Sequence, residues 1–184
     1  MIIIDEYEIP NTAEELTVEQ LDKLNHITRR EDLDNIEKYI EKFSYLGVPE
    51  SHFDEMEFSN FKEHIRNFET SEVPTEKLKT IEIDGFTYEA PEVIGVKDLG
   101  MIEKVWRANV DNFSSEMLAI IFKRTDLTRT EHYAAAHLKL KAKLFNQQKA
   151  AIAMPYIVEV LTQLSKTAQQ IANEHTEELE SNQG

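Results

Sequence analysis

Apolar residues return every three or four positions along most of this chain, and the pattern stops at a few turn signals. Thr17-x-x-Gln20 has capping-box spacing and introduces Val18, Leu21 and Leu24, which predicts a first helix near 17–28. Asp32 can cap a second helix with the stripe Leu33, Ile36, Ile40 and Phe43, closed by Gly47 with Pro49 just beyond. Ser51 to Met56 reads as a turn or a single helical turn. Phe58, Phe61, Ile65 and Phe68 then define a third helix ending near Glu69, with its phenylalanines as core. From Thr70 to Lys79 the periodicity is lost around Pro74 and several charges, so this stretch reads as a linker.

The period changes to two at Thr80 to Glu89. Asp84-Gly85 is a type I′ turn signal, and a two-residue loop there sets Ile83 opposite Phe86 and Ile81 opposite Tyr88, with all four side chains on one face. Two strands alone are marginal, so this hairpin must cover a helix or gain a third strand, for which Met1 to Ile4 is a candidate.

Helical spacing returns at Asp98, with Leu99, Ile102, Val105 or Trp106, Val110 and Phe113, and again from Ser114 or Ser115 through Met117, Leu118, Ile121 and Phe122. Thr128-x-x-Glu131 is a second capping box, leading into a helix through Tyr133, His137, Leu140 and Leu144. Pro155 interrupts the next apolar pattern, which places a break or kink between Phe145 and Pro155. The fold expected is mainly α, a multi-helix bundle with one small β-hairpin at about 80–89. Its parts are an acidic helical module at 1–69, a linker at 70–79, the hairpin plus helical bundle at 80–172, and a frayed polar tail at 173–184.

Charge divides the chain in the same place. Residues 1–95 carry 24 Asp and Glu against 9 Lys and Arg, and residues 96–184 carry 11 against 11, so the net charge of −15 resides in the first half. Such an acid excess repels phosphate backbones and anionic membranes, so neither nucleic acid nor a membrane is an expected partner. The absence of cysteine removes disulfides and thiolate metal sites. Met1-Ile2-Ile3-Ile4 runs directly into Asp5 and Glu6, unlike a signal peptide, and the expectation is a soluble intracellular protein.

Catalytic patterns are missing. With five glycines there is no GxGxxG, phosphate loop or GxSxG elbow, and no cofactor is expected. His132 and His137 are five residues apart, which on one helix turns them about 140° from each other, against the i, i+4 spacing of a helical zinc site. Carboxylate pairs such as Glu14-Glu15 and Asp54-Glu55 sit where solvated helix faces and caps are expected.

Two features point instead to a partner surface. Tyr133-Ala134-Ala135-Ala136 carries small side chains that allow close helix approach, and Lys139, Lys141, Lys143 and Lys149 follow it. Residues 97–149 hold 10 basic against 6 acidic groups, an excess that suits docking on the acidic half of the same chain or of a neighbour. Beyond Pro155, the stripe Ile157, Leu161, Leu164, Ala168 and Ile171 is either the last core helix or a helix-in-groove element that binds a partner.

Three stretches taken in order, YEIP with LTVEQLDKL (Tyr7 to Pro10, Leu16 to Leu24), YLGVPESHFDEM (Tyr45 to Met56) and KTIEIDGFTYE (Lys79 to Glu89), carry a family likeness. Over about residues 7–105 the chain resembles a group of tailed-bacteriophage proteins, common in phages of gut bacteria, regarded as tail-assembly-chaperone-like or virion-morphogenesis proteins. The resemblance implies a non-enzymatic protein of the host cytoplasm or the virion that holds another phage structural protein, or a second copy of itself, through helical faces. It brings no catalytic residues with it. A structural component retained in the virion is the first alternative, and a small helical enzyme the second.

Overall fold

The structure, a computed structural model, describes residues 1–69, 74–108 and 110–181, with side chains in the last helix followed through Lys166. The fold is mainly α with two small antiparallel sheets. The chain opens with a hairpin, β1 (Ile2–Ile4) and β2 (Tyr7–Ile9), followed by α1 (Val18–Arg29), α2 (Asn35–Tyr45), a 3₁₀ turn at Glu50–Phe53, and α3 (Phe58–Glu69). The second half contains β3 (Thr80–Ile83), β4 (Phe86–Glu89), α4 (Val96–Arg107), α5 (Phe113–Ile121), β5 (Lys123–Arg124), α6 (Arg129–His132), α7 (Ala135–Asn146) and α8 (Ala150–Ser181).

Both predicted capping boxes form. Thr17 and Gln20 exchange hydrogen bonds at the start of α1, and Thr128 and Glu131 do so at the start of α6. The cap of α2 is Asp34 rather than Asp32. The Asp34 carboxylate accepts the N–H groups of Ile36 and Glu37 at 2.8 and 2.9 Å, whereas Asp32 is held by the Arg30 guanidinium. The Asp84-Gly85 turn has positive φ at both residues, 52° and 77°, and pairs Ile83 with Phe86 and Ile81 with Tyr88.

Three expectations are corrected. The third strand beside the predicted hairpin is β5, pairing Tyr88 with Arg124 and Glu89 with Lys123, while Met1 to Ile4 supplies β1 of a separate hairpin. That hairpin turns on Asp5, at φ 52° without a glycine, so the usual sequence mark is lacking. Second, the helix expected through Tyr133 to Leu144 is two helices with a corner at Tyr133–Ala134. Leu140 is therefore exposed, and the buried face of α7 is Lys141, Ala142 and Phe145. Third, Ala134, Ala135 and Ala136 all face solvent, so within this chain they mediate no close helix approach.

Two main apolar cores result, with a small cluster of Leu16, Leu24 and Ala150 between them. The smaller gathers Ile4, Ile9, Val48 and Phe61 around Phe43, whose ring meets those of Phe53, Phe61 and Phe68 at centroid distances of 6.0, 6.1 and 5.4 Å. The larger is built on α5, apolar almost all round and buried from Phe113 to Ile121 except at Glu116, with α1, α4, α7 and α8 packed about it. Val18 of α1 belongs to this larger core, so the first helix of the acidic half is a wall of the second. A seam fixes it there. Val18 N–H donates to Gln148 C=O, Ala150 N–H to Leu16 C=O and Ala151 N–H to Ala13 C=O, each at 2.8 Å.

The predicted interruption before Pro155 lies at 147–149, between α7 and α8, and Pro155 itself is buried inside α8. Of the expected linker, residues 70–73 lie outside the described residues. The remainder has no regular structure but is tied to α8, where the Tyr156 hydroxyl donates to Leu78 C=O at 2.8 Å and Lys77 pairs with Glu159.

Candidate functional site

Charged groups are buried around one end of α5. Asp98 stands in the first turn of α4, where a carboxylate is favoured by the helix dipole, but its side chain points inward and is almost wholly enclosed. Both oxygens are engaged: Tyr133 donates its hydroxyl to Oδ1 at 2.5 Å and Lys123 donates from Nζ to Oδ2 at 2.9 Å. Burial and the hydrogen bond to Asp98 push the Tyr133 hydroxyl up. For the Lys123 ammonium, burial acts against the charge, but the Asp98 bond and charge outweigh it and the net shift is upward. The Lys97 ammonium lies 3.7 Å from the centroid of the Tyr133 ring, a cation–π contact.

Behind Tyr133, His132 and Lys141 form a second buried pair. A carbonyl can only accept, so the 3.1 Å contact to Ile120 C=O places the imidazole proton on Nε2 and leaves Nδ1 as an acceptor. Lys141, 1% exposed, donates to that Nδ1 at 2.9 Å and to Phe122 C=O at 2.7 Å. Burial first, and the neighbouring Lys141 second, push the His132 imidazole down to about 4. Burial and Lys123 bring the Lys141 ammonium down to about 7.

Asp98, Lys123, His132 and Tyr133 line an open cavity of about 510 Å³ between the 91–98 segment and the 123–133 segment, with Lys141 outside its lining. Lys97, Lys123 and Arg129 line it together with Asp98, while Val93, Val96 and Leu127 supply an apolar lip. The two histidines singled out in the sequence lie on different helices because of the Tyr133 corner, so the single-helix angle between them does not apply. Among the described residues no group of three or more His, Cys, Asp or Glu could hold a metal ion.

A second, apolar hollow of about 240 Å³ opens on another face, between α1, α4, α5 and α8. Trp106 and Phe113 form one wall, with ring centroids 5.0 Å apart at 75°, and Ile157 and Leu161 form the other. Its polar edge carries Asp22, whose buried carboxylate accepts the Ser114 and Ser115 N–H groups at 2.7 and 3.2 Å and so caps α5 from α1. Burial raises the Asp22 carboxyl, against these hydrogen bonds.

No family model, curated protein or solved structure matches this chain. The site must therefore be read from its own residues. Of the stripe predicted on α8, Ile157 and Leu161 meet in the apolar hollow, and Leu164 is half-buried against the large core. Ala168 and Ile171 lie outside the described side chains. The most buried edge of α8 is a different one, Ala150, Ala153, Tyr156 and Val160. Sequence reasoning missed the charged cluster entirely. One signal was present: Lys141 falls in helical register with Leu138, Ala142 and Phe145, where a lysine interrupts an apolar stripe.

Proposed function

We propose that this chain is a non-enzymatic morphogenesis protein of a tailed bacteriophage. It acts in the host cytoplasm as a tail-assembly chaperone or adaptor and holds an apolar helical segment of another phage structural protein. The observation that carries the reading is the hollow at Trp106, Phe113, Ile157 and Leu161, apolar on two walls and open to solvent, with Leu161 itself 38% exposed. Its volume suits one or two large anchor side chains, the way helix-in-groove ligands engage. The polar edge at Asp22, Asn25 and Thr28 gives such a segment a direction. The likeness of residues 7–105 to the phage group supplies the class of partner.

The test is capture from infected cells with wild type, Leu161→Glu and, as control, Leu140→Glu, an exposed position of α7 that does not line the hollow. The expected result is one phage structural protein retained by wild type and Leu140→Glu and reduced about tenfold or more by Leu161→Glu, whose circular dichroism is unchanged. Equal capture by all three proteins, or a captured protein that is not phage-encoded, overturns the reading. Copies of the chain in purified particles then separate a retained component from a released chaperone.

A further inference from the structure

We propose that the cavity bounded by residues 91–98 and 123–133 is a binding site for an organic phosphate, a phosphate monoester bearing an apolar or aromatic substituent. Its charged lining is three cations, Lys97, Lys123 and Arg129, against one carboxylate, Asp98, a local surplus of two positive charges on a chain of net charge −15. The chain as a whole repels anions, and the surplus belongs to the locally basic stretch 97–149 from which all three cations come. A phosphate monoester carries close to two negative charges at neutral pH and neutralises it; a monocarboxylate would leave half of it standing.

The three cations are held differently, as capture requires. Lys123 is fixed by Asp98, Lys97 rests on the Tyr133 ring, and Arg129 is exposed, with no partner among the described residues and its planar donors available to phosphate oxygens. The apolar lip argues for the substituent. Val93 is 71% and Val96 88% exposed, both at the cavity mouth, and a volume of about 510 Å³ exceeds what a bare phosphate fills. Hydrogen bonds hold the rest of the lining in place: both His132 nitrogens are engaged by Ile120 and Lys141, the Tyr133 hydroxyl is given to Asp98 and the Thr128 hydroxyl to Glu131. The site is separate from the apolar hollow and does not depend on it.

Calorimetric titration of the full chain with phenyl phosphate, inorganic phosphate and benzoate tests the assignment. Phenyl phosphate is expected to bind one to one, about tenfold or more tighter than either other probe, with affinity falling as salt is raised. Lys97→Gln with Arg129→Gln should weaken it about tenfold or more, while Lys139→Gln with Lys143→Gln, an equal charge change on the exposed face of α7, should leave it within about twofold. Arg129→Gln alone carries the test if the double variant unfolds. The proposal is overturned by no saturable binding of phenyl phosphate up to about 10 mM, by equal losses in the two variant pairs, or by benzoate or inorganic phosphate binding as tightly as phenyl phosphate.

Discussion

Around Phe43 the N-terminal core is made of Ile4, Ile9, Val48, Phe61 and a ring of partly buried aromatics, and among the described residues no charged side chain is buried in it. Around α5 the larger core borders the buried Asp22, Asp98, His132 and Lys141, each with every charged or basic atom hydrogen-bonded. For the one ion pair among them, Asp98 with Lys123, a matched pair of apolar side chains would serve stability about as well, because desolvation offsets most of what a buried pair gains. The contrast separates a region that only packs from one whose groups hold a defined geometry. Both candidate sites, the charged cavity and the apolar hollow, border the second region.

The largest expected effect lies in the packing region. Phe43→Ala removes the ring on which four other aromatics, Tyr39, Phe53, Phe61 and Phe68, rest and should cost about 3–5 kcal/mol. Hydrogen exchange should then show protection lost in α2 and α3 and kept in α5 and α7. Uniform loss across all four helices would mean that the two cores are one cooperative unit. Asp22→Ala probes the same independence from the other side. It leaves the Ser114 and Ser115 N–H groups buried without an acceptor, worth about 2–3 kcal/mol, and the loss of protection should centre on α1 and α5. An unchanged melting temperature would show that water replaces the carboxylate.

The third and smallest effect is one of pH. The free imidazole titrates near 6.5 and the folded His132 near 4, so the unfolded chain binds more protons between these values. Stability contributed by neutral His132 is thus complete above about pH 6.5 and is lost as pH falls through about 4. Burial of Asp22 acts in the opposite sense, since its raised carboxyl favours folding at lower pH, but that contribution is common to both proteins compared. Urea unfolding of wild type against His132→Gln, whose amide can keep both hydrogen bonds, should give curves that converge on acidification. Parallel curves would mean that the imidazole is not held neutral in the fold.

The sequence showed the packing region well and the charged region hardly at all. Phe61 and Phe68 at helical spacing, two capping boxes and the Asp84-Gly85 turn are short-range signals whose structural consequence is local, and each reappears in the fold, whereas Phe58, expected in the core at the start of α3, is 55% exposed. Burial of Asp22, Asp98 or Lys141 depends on partners 92, 35 and 19 residues away, and a charged side chain carries no local mark of whether it faces solvent. β5 was missed for a related reason: two residues, Lys123 and Arg124, have no period. Of the stripe proposed on α8, the alternation was visible, but which edge turns inward was decided by α1 and α5, which close over it.

The seam between residues 13–18 and 148–151 sets an order on biosynthesis. Ile4, Ile9, Phe43, Val48 and Phe61 lie close in sequence, so the first lobe has its partners as soon as it leaves the ribosome. α1, threaded between those segments, does not: the carbonyl that receives Val18 and the amides that reach Leu16 and Ala13 are made only with Gln148, Ala150 and Ala151. For most of translation Val18 and Leu21 thus lack the α5 and α8 side chains that cover them, while Leu24 already has Leu46 and Phe68 of the folded lobe to pack with. A nascent chain stalled before residue 148 should be sticky and open to holding factors, and one released past 151 should close on its own.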